Sequence, residues 1–427
     1  MRKTNFLTLA ASALILANSF ALADDAAPTP EELKGQIDGQ NEKMLEMDAT
    51  LQKLAKIKLS GYIQTQFVKS EADNGINTDP YNSKDAVKGG FQLRRARVKV
   101  AYDDGPTSLV VQGDFLNTGF HLKEAYLQFT EPWLKYFTVN AGIFNRPNFE
   151  VEYSSSSLES MERSTLISKL YPGEYDLGLM LTATPENLFK LQLAGFNNTM
   201  QGTQKQYLPN FNEAPLYYMA RLTKDFRLAD DLGLDLGVHA RTGDIVSNTY
   251  KVLESDISTG GAIDSTSLKL GDKVNRSWFG AEAQLYYDFL GGMKIMGEFI
   301  TGSDVNELST TPSSAYMRKR DFNGYYVTFV KTLGEEWQLV AKYDSYNPIT
   351  KIDDKNIAST GDLAINTFGF GIHNFSFSNI RISLWYDMPQ HKEISGGKYA
   401  IKNPYTGAAP AKNADGTYDF KDPSDNK

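Results

Sequence analysis

The chain has 427 residues, a net charge of −8, no cysteine, 12% aromatic residues and a negative mean hydropathy. The acidic balance argues against a nucleic-acid surface, and the lack of cysteine excludes disulfides and thiolate chemistry. Beyond the first residues, no stretch approaches the roughly 18 apolar residues that a membrane-spanning helix needs.

In chain order, Arg2 and Lys3 precede an apolar run from Phe6 to Ala17, and Ala21-Leu22-Ala23 offers small residues for cleavage. Residues 1–23 therefore read as an export signal. Residues 24–55 read as a periplasmic coiled-coil or linker helix. There Leu33, Ile37, Gln40, Met44, Met47, Leu51 and Leu54 recur at alternating spacings of four and three, a heptad seam with one polar interruption at Gln40. Three and a half heptads are few, and Gly35 and Gly39 weaken the first of them, so the helix is marginal alone and self-association stabilises it. The seam predicts a short coiled coil joining copies of the chain; the other reading is a single amphipathic helix or linker.

From residue 56 a ladder of alternating segments begins. In FQLRRARVKVAYD, residues 91 to 103, Ala96, Val98, Val100 and Tyr102 share one parity, while Arg95, Arg97 and Lys99 share the other. In a soluble sandwich the charged parity faces water; in an outer-membrane barrel it faces the lumen and the apolar parity faces lipid. Fifteen such strands are expected, near 56–68, 91–103, 106–116, 120–130, 136–144, 174–184, 188–196, 214–226, 232–242, 274–288, 291–301, 321–331, 335–346, 362–375 and 378–388. Their connections alternate between short turns such as DDGP, EPWLK and PEN and long polar insertions at 69–90, 145–173, 197–213, 243–273, 302–320 and 347–361; only 117–119 breaks the rule. Short turns at one end, long loops at the other and strands of about ten residues are the pattern of a bacterial transmembrane β-barrel. Rings at segment ends, including Phe91, Phe115, Phe129, Trp133, Tyr136 and Phe137, suit its interfacial girdles.

An antiparallel barrel with both termini in the periplasm needs an even strand count. Residues 391–427 are polar and rich in Gly, Pro, Asn and Asp, and read as a long external loop or truncated C-terminus. The expectation is therefore that the closing strand is missing, or that a segment such as GTYDF in the tail substitutes poorly for it.

The segments LSGYIQTQF, FQLRRARVKV and LKEAYLQF, and above all AGIFNRPNFEVEYSSSSLESMERSTLISKLYPGEYDLGL, resemble the phosphate-selective porin O and P family of outer-membrane channels over residues 56 to about 390. The resemblance implies an all-β fold, a sixteen-stranded porin barrel, usually a homotrimer in the outer membrane of a Gram-negative cell, whose third long loop folds into the lumen and forms a constriction. Here that loop is 145–173. It carries Arg146, Glu150, Glu152, Glu159, Glu162, Arg163 and Lys169, too polar for lipid and too long for a plain turn, so that folding inward satisfies its backbone and narrows the channel.

Strand parity assigns Arg95, Arg97, Lys99, Arg221, Arg241, Arg276, Lys342 and Arg381 to the lumen as pore-lining and selectivity residues, with Asp114, Glu124, Asp235, Glu282, Glu298 and Asp344 among the acids beside them. The Arg95, Arg97 and Lys99 stripe, about 13 Å of one wall, is the leading selectivity element. The sequence thus points to passive diffusion of small hydrophilic solutes with a weak preference for anions such as phosphate. No cofactor or metal is expected, since His121, His239, His373 and His391 lack ligand spacing and Asp415, Asp419, Asp422 and Asp425 are irregular for calcium. Catalysis is not expected either: Ser154 to Ser157 have no histidine nearby in sequence. Two alternatives stand beside the channel: a structural or adhesive barrel with a blocked lumen, and an outer-membrane hydrolase.

Overall fold

The protein is described from a computed structural model, which describes residues 30–70, 76–77, 86–87, 89–116, 119–197, 216–246, 251–254, 265–267, 273–288, 290–307, 317–350, 364–377 and 379–391. The export signal and most of the long polar insertions and tail lie outside the described residues. Met1–Ile57 and Lys58–Lys427 form two units. The first contains helix α1 (Pro30–Ala55), on which Ile37, Met44, Met47, Leu51 and Leu54 are all exposed along the expected seam, as is Gln40.

The second unit is a wall of fifteen antiparallel strands, apart from two short hairpin-like pairs at Ile76–Asn77 with Ala86–Val87 and Lys251–Glu254 with Ser265–Ser267. The strands are β1 (Ile57–Lys69), β2 (Gly89–Asp104), β3 (Thr107–Leu116), β4 (Gly119–Thr130), β5 (Phe137–Asn145), β6 (Tyr175–Ala183), β7 (Lys190–Phe196) and β8 (Tyr217–Ala229). They continue as β9 (Leu232–Val246), β10 (Lys273–Tyr287), β11 (Met293–Glu307), β12 (Met317–Leu333), β13 (Trp337–Asn347), β14 (Ile365–Phe377) and β15 (Ile380–His391). Each pairs with the next, from Arg97 opposite Asp114 in β2 and β3 to Gly371 opposite Trp385 in β14 and β15. Strand β1 pairs with β2, and Phe67 packs edge-on against Phe91 there with ring centroids 5.0 Å apart.

Parity divides the wall into two faces. Val98, Val100, Leu109, Val111, Leu179, Leu222, Val238, Phe279, Val327, Leu339 and Phe370 are exposed, while Arg97, Asp114, Arg221, Arg241, Glu282, Glu298, Lys342 and Asp344 are buried. A sandwich would reverse that order, so the wall has a lipid-type exterior and a polar interior. No described helix is long and apolar enough to cross a membrane, which leaves crossing by strands untouched.

Short turns are made by local chemistry. Gly105 supplies a positive φ of 76° between β2 and β3. Between β4 and β5 the Glu131 carboxylate accepts hydrogen bonds from the Trp133, Leu134 and Tyr136 backbone amides at 2.7–3.0 Å, which hold its pKa below the ordinary value despite the desolvation that opposes them.

The expected strands are all present, but β9, β11 and β12 run several residues beyond their expected ends. Their added pairs mix types, with Asp304 opposite Arg320 and Ile245 opposite Val274, so the hydropathy alternation fades where the backbone ladder continues. Among the described residues no ladder joins β15 to β1. Both strands expose their outward side chains more than the middle of the wall does: Ile63 is 76% and Leu384 74% exposed, against 41% for Leu339. The tail segment expected to substitute poorly for a closing strand lies outside the described residues.

Candidate functional site

Residues 146–174, between β5 and β6, fold to the interior face of the wall. Their course begins with Arg146, which is fully buried and donates to Tyr217 Oη (2.7 Å), the Pro172 carbonyl (3.1 Å) and Asp176 (3.4 Å). Burial opposes its charge, but Tyr217 and Asp176 outweigh it and raise the guanidinium above its ordinary pKa. Helix α2 (Phe149–Glu152) follows, capped where Asn148 Oδ1 accepts from the Val151 amide, and α3 (Thr165–Leu170) is capped by the Ser164 hydroxyl accepting from the Ile167 amide.

Two kinds of contact seat the segment. The first is apolar: Phe149, Val151, Leu166, Ile167, Leu170 and Tyr171 form one buried cluster with Phe144, Phe196, Tyr217, Met219, Trp278, Met296, Ile300, Phe322, Tyr326 and Tyr346 of the wall. At about 1.5–3 kcal/mol per fully buried side chain, the six loop residues contribute roughly 9–18 kcal/mol as an upper bound. Gly324 of β12 admits this cluster, since a Cβ there would lie 2.7 Å from Leu166 Cδ1. The sequence reading, which stressed the loop's polarity, missed that cluster; the apolar positions are interleaved with Ser and Glu and show no strand or long-helix period.

The second kind is ionic. Glu150 accepts from the Ser164 amide and hydroxyl and from Lys342 Nζ at 3.2 Å. Glu152 meets Arg221 Nη1 at 2.6 Å, Lys190 Nζ at 3.1 Å and Gln192 Nε2 at 2.6 Å. Burial disfavours the ionised form of Glu152, but Arg221 and Lys190 prevail and hold the carboxyl below its ordinary value. Asn148 Nδ2 donates to Glu298 at 2.5 Å, and Tyr153 Oη to Gln284 at 2.7 Å; burial, with Glu159 nearby, pushes the Tyr153 hydroxyl up to about 12. At the tip, Glu159 pairs with Lys294, its carbonyl accepts from His373, and the Leu158 carbonyl accepts from Arg381 at 2.8 Å. Glu162 accepts from Arg94 through two bonds of 2.8 Å, and Arg163 donates to the Tyr153 carbonyl at 2.7 Å and meets Glu174 at 3.3 Å. Lys169, the remaining expected loop base, is exposed.

All eight pore-lining candidates lie on the interior parity, but not as a free stripe. Arg97 forms a bidentate pair with Asp114 at 2.7 and 2.8 Å, Lys99 meets Glu124 at 3.1 Å, and Arg95 reaches Gln64 at 2.6 Å and Glu162 at 3.8 Å. Arg97 and Lys99 are thus matched by Asp114 and Glu124 on neighbouring strands and Arg95 lies beside Glu162 of the loop, so nearby acids offset the charge of the stripe. A cationic group sits elsewhere. Arg241 lies between the rings of Tyr217 and Trp278, 4.1 and 4.2 Å from their centroids, and its buried Nε and Nη1 have no hydrogen-bond partner among the described residues. Arg276 and Arg320 share Asp304, with Arg276 Nε at 2.6 Å and Arg320 Nη2 at 3.5 Å. Arg320, Asp304 and Arg94 were not singled out by sequence; register places the first two, since Asp304 faces Arg320 across β11 and β12, and the loop's Glu162 marks the third.

His239, Glu282 and Glu298 converge within 4.8 Å, a grouping that spacing along the chain did not reveal. Their atoms already serve the wall: Glu282 receives Arg221, and Glu298 receives Asn148, Tyr326 and His239 Nε2. The Ser154 hydroxyl bonds those of Ser156 and Ser157.

A family model described as phosphate-selective porin O and P matches residues 77–351. No curated protein matches the chain. Similar solved structures include outer-membrane expressed OmpT of Vibrio cholerae, 12% identical over 78% of this chain and 87% of that one with a TM-score of 0.48. The outer membrane channel DcaP of Acinetobacter baumannii is 10% identical over 78% and 91%, with a TM-score of 0.48, and OprB of Pseudomonas putida is 9% identical over 79% and 90%, with a TM-score of 0.45.

Proposed function

This chain belongs to the phosphate-selective porin O and P family of outer-membrane channels, and from that premise we propose that small hydrophilic solutes diffuse passively through its lumen, with anions weakly favoured and the 146–174 segment setting the width. The observation that carries the reading is the seating of that segment, by the apolar cluster and the Glu150, Glu152, Glu159 and Glu162 contacts, inside a wall whose exterior is apolar. The anion preference rests on Arg241, Arg276 and Arg320, the last two of which share Asp304; phosphate and similar anions are the solutes that such donors suit. Export by residues 1–23 and trimerisation through the exposed α1 seam complete the reading.

Single-channel currents of the purified protein in a planar bilayer, recorded with chloride, phosphate and a bulky organic anion, test it. Conductance steps with a reversal potential on the anion side in a salt gradient are expected. A cation-side potential removes the preference, and the absence of steps favours the blocked structural barrel.

A further inference from the structure

At the short-turn end the interior face carries a cleft of about 480 Å³, between the loop tip at Glu159 and the turns that follow β8 and β10. Its volume falls within the range of small-molecule sites, about 300–1,000 Å³. Cross-strand register builds it. On the interior parity Gly233 lies opposite Tyr286, Tyr286 opposite Lys294 and Lys294 opposite Val330 across β9 to β12, and Thr332 lies opposite Gln338 one pleat nearer the turn.

Two properties set its chemistry. The first is an open aromatic ring. Tyr286 is 39% exposed although it shares the parity of buried Glu282 and Gln284, because its neighbour across β9 is a glycine. A Cβ on Gly233 would meet nothing nearer than 3.8 Å, and that nearest atom is Tyr286 Cδ2. The Tyr286 hydroxyl bonds Asp235 and Tyr153, so the ring is anchored at its tip and uncovered on its glycine side. Buried Val330 adds to the apolar lining. The second property is that the cations lining the cleft are matched. Lys294 pairs with Glu159, and Arg227 with Asp230 at 3.0 Å. The further acids, Asp231 and Asp288, are exposed in the turns at its rim, where water and salt screen them. An incoming anion would have to displace an acid from its partner, whereas a neutral solute can share the donors and acceptors of these pairs and of the Thr332 hydroxyl and Gln338 amide.

We propose that this cleft is a subsite for neutral saccharides. A sugar ring has an apolar face of C–H groups and a rim of hydroxyls that both donate and accept, which complements an open tyrosine ring bordered by mixed polar groups. The C–H face lies against Tyr286, and the hydroxyls reach Gln338, Thr332 and the Lys294–Glu159 pair. The inference rests on the channel reading above, and it adds a class of solute that an anion preference does not predict.

The test pairs two measurements on the purified protein. Saturation-transfer NMR with maltose and glucose, in micelles of a detergent that carries no sugar, reads binding; single-channel current with the same sugars reads block. Transfer to the sugar ring protons that saturates with concentration is expected, together with a reversible loss of current that is larger for maltose than for a poly(ethylene glycol) of the same size. Gly233→Leu fills the cleft without a clash at Cβ and should abolish transfer and block. Tyr286→Leu should raise the half-saturating concentration about two- to tenfold, the factor for losing one ring contact, and Tyr286→Phe should retain most of the binding. Transfer no larger for maltose than for the glycol, transfer equal in the native and Gly233→Leu proteins, or saturable binding of phosphate or glycine in place of the sugars overturns the inference while leaving the channel reading intact. Sugar transfer without conductance steps removes the channel reading alone, and the absence of both removes both.

Discussion

Arg221 is the ion-pair hub between wall and loop, and its removal gives a quantitative check on what holds the segment in place. Its side chain is 6% exposed and that of Glu282 5%, so neither charge is relieved by solvent. In Arg221→Met, Glu282 loses a partner at 2.6 Å and keeps no cation within an ion-pair distance in the described structure except through His239 nearby. Leaving a buried carboxylate this way costs about 3–5 kcal/mol. Glu152 adds little to that, because it is 28% exposed and retains Lys190 at 3.1 Å and Gln192 at 2.6 Å. The loss is smaller than the roughly 9–18 kcal/mol of apolar seating, so the loop should loosen around residues 150–153 and not leave the lumen. Urea unfolding in detergent micelles should register the 3–5 kcal/mol loss, and single-channel conductance should stay close to that of the native protein. Adding Glu282→Gln removes the stranded charge and should recover most of the stability. A loss below about 1 kcal/mol, or no recovery in the double variant, would show that the pair is not balanced as its geometry implies.

Other outcomes follow from the same contacts. Gly324→Leu places a branched side chain where even a Cβ lies 2.7 Å from Leu166 Cδ1, and the overpacking should cost about 1–3 kcal/mol and shift α3, read as increased protease cleavage near Ser154–Ser157; unchanged cleavage contradicts the seating. Because Glu152 is held below its ordinary pKa, its contribution is fully present above the unfolded value near 4.3 and is lost as pH falls through the lower folded value. Loop protection from an acid-tolerant protease should therefore persist at pH 5, and release of the Glu152 anchor there would refute the ion-pair assignment. Substituting Lys99→Gln should change ion selectivity less than Arg241→Gln, since Lys99 is matched by Glu124 at 3.1 Å while two Arg241 donors have no partner among the described residues; reversal potentials in a salt gradient compare them.

Residues 91 to 103 show what was legible beforehand. Alternation along one strand is a local property set by the two-residue period of the extended chain, so parity, turn positions and the count of fifteen could be read directly. Helix α1 was legible for the same reason, from its own spacing. Arg95, Arg97 and Arg241 are buried on the interior parity, but which of them has an acid beside it was not legible. Arg97 is neutralised by Asp114 seventeen residues on, whereas Arg241 is left among aromatic rings, and that difference arises from cross-strand register. The apolar seating of 146–174 was hidden too, because Leu166 and Ile167 find their partners on β12 and neighbouring strands more than a hundred residues away.

The sequence by itself determined which segments are strands, which face of each is apolar and where the chain turns, since these depend on neighbours within a few residues. Only the tertiary structure decided which charges lie beside one another and how the long loop is seated, because each depends on the distance between residues that the chain order keeps far apart.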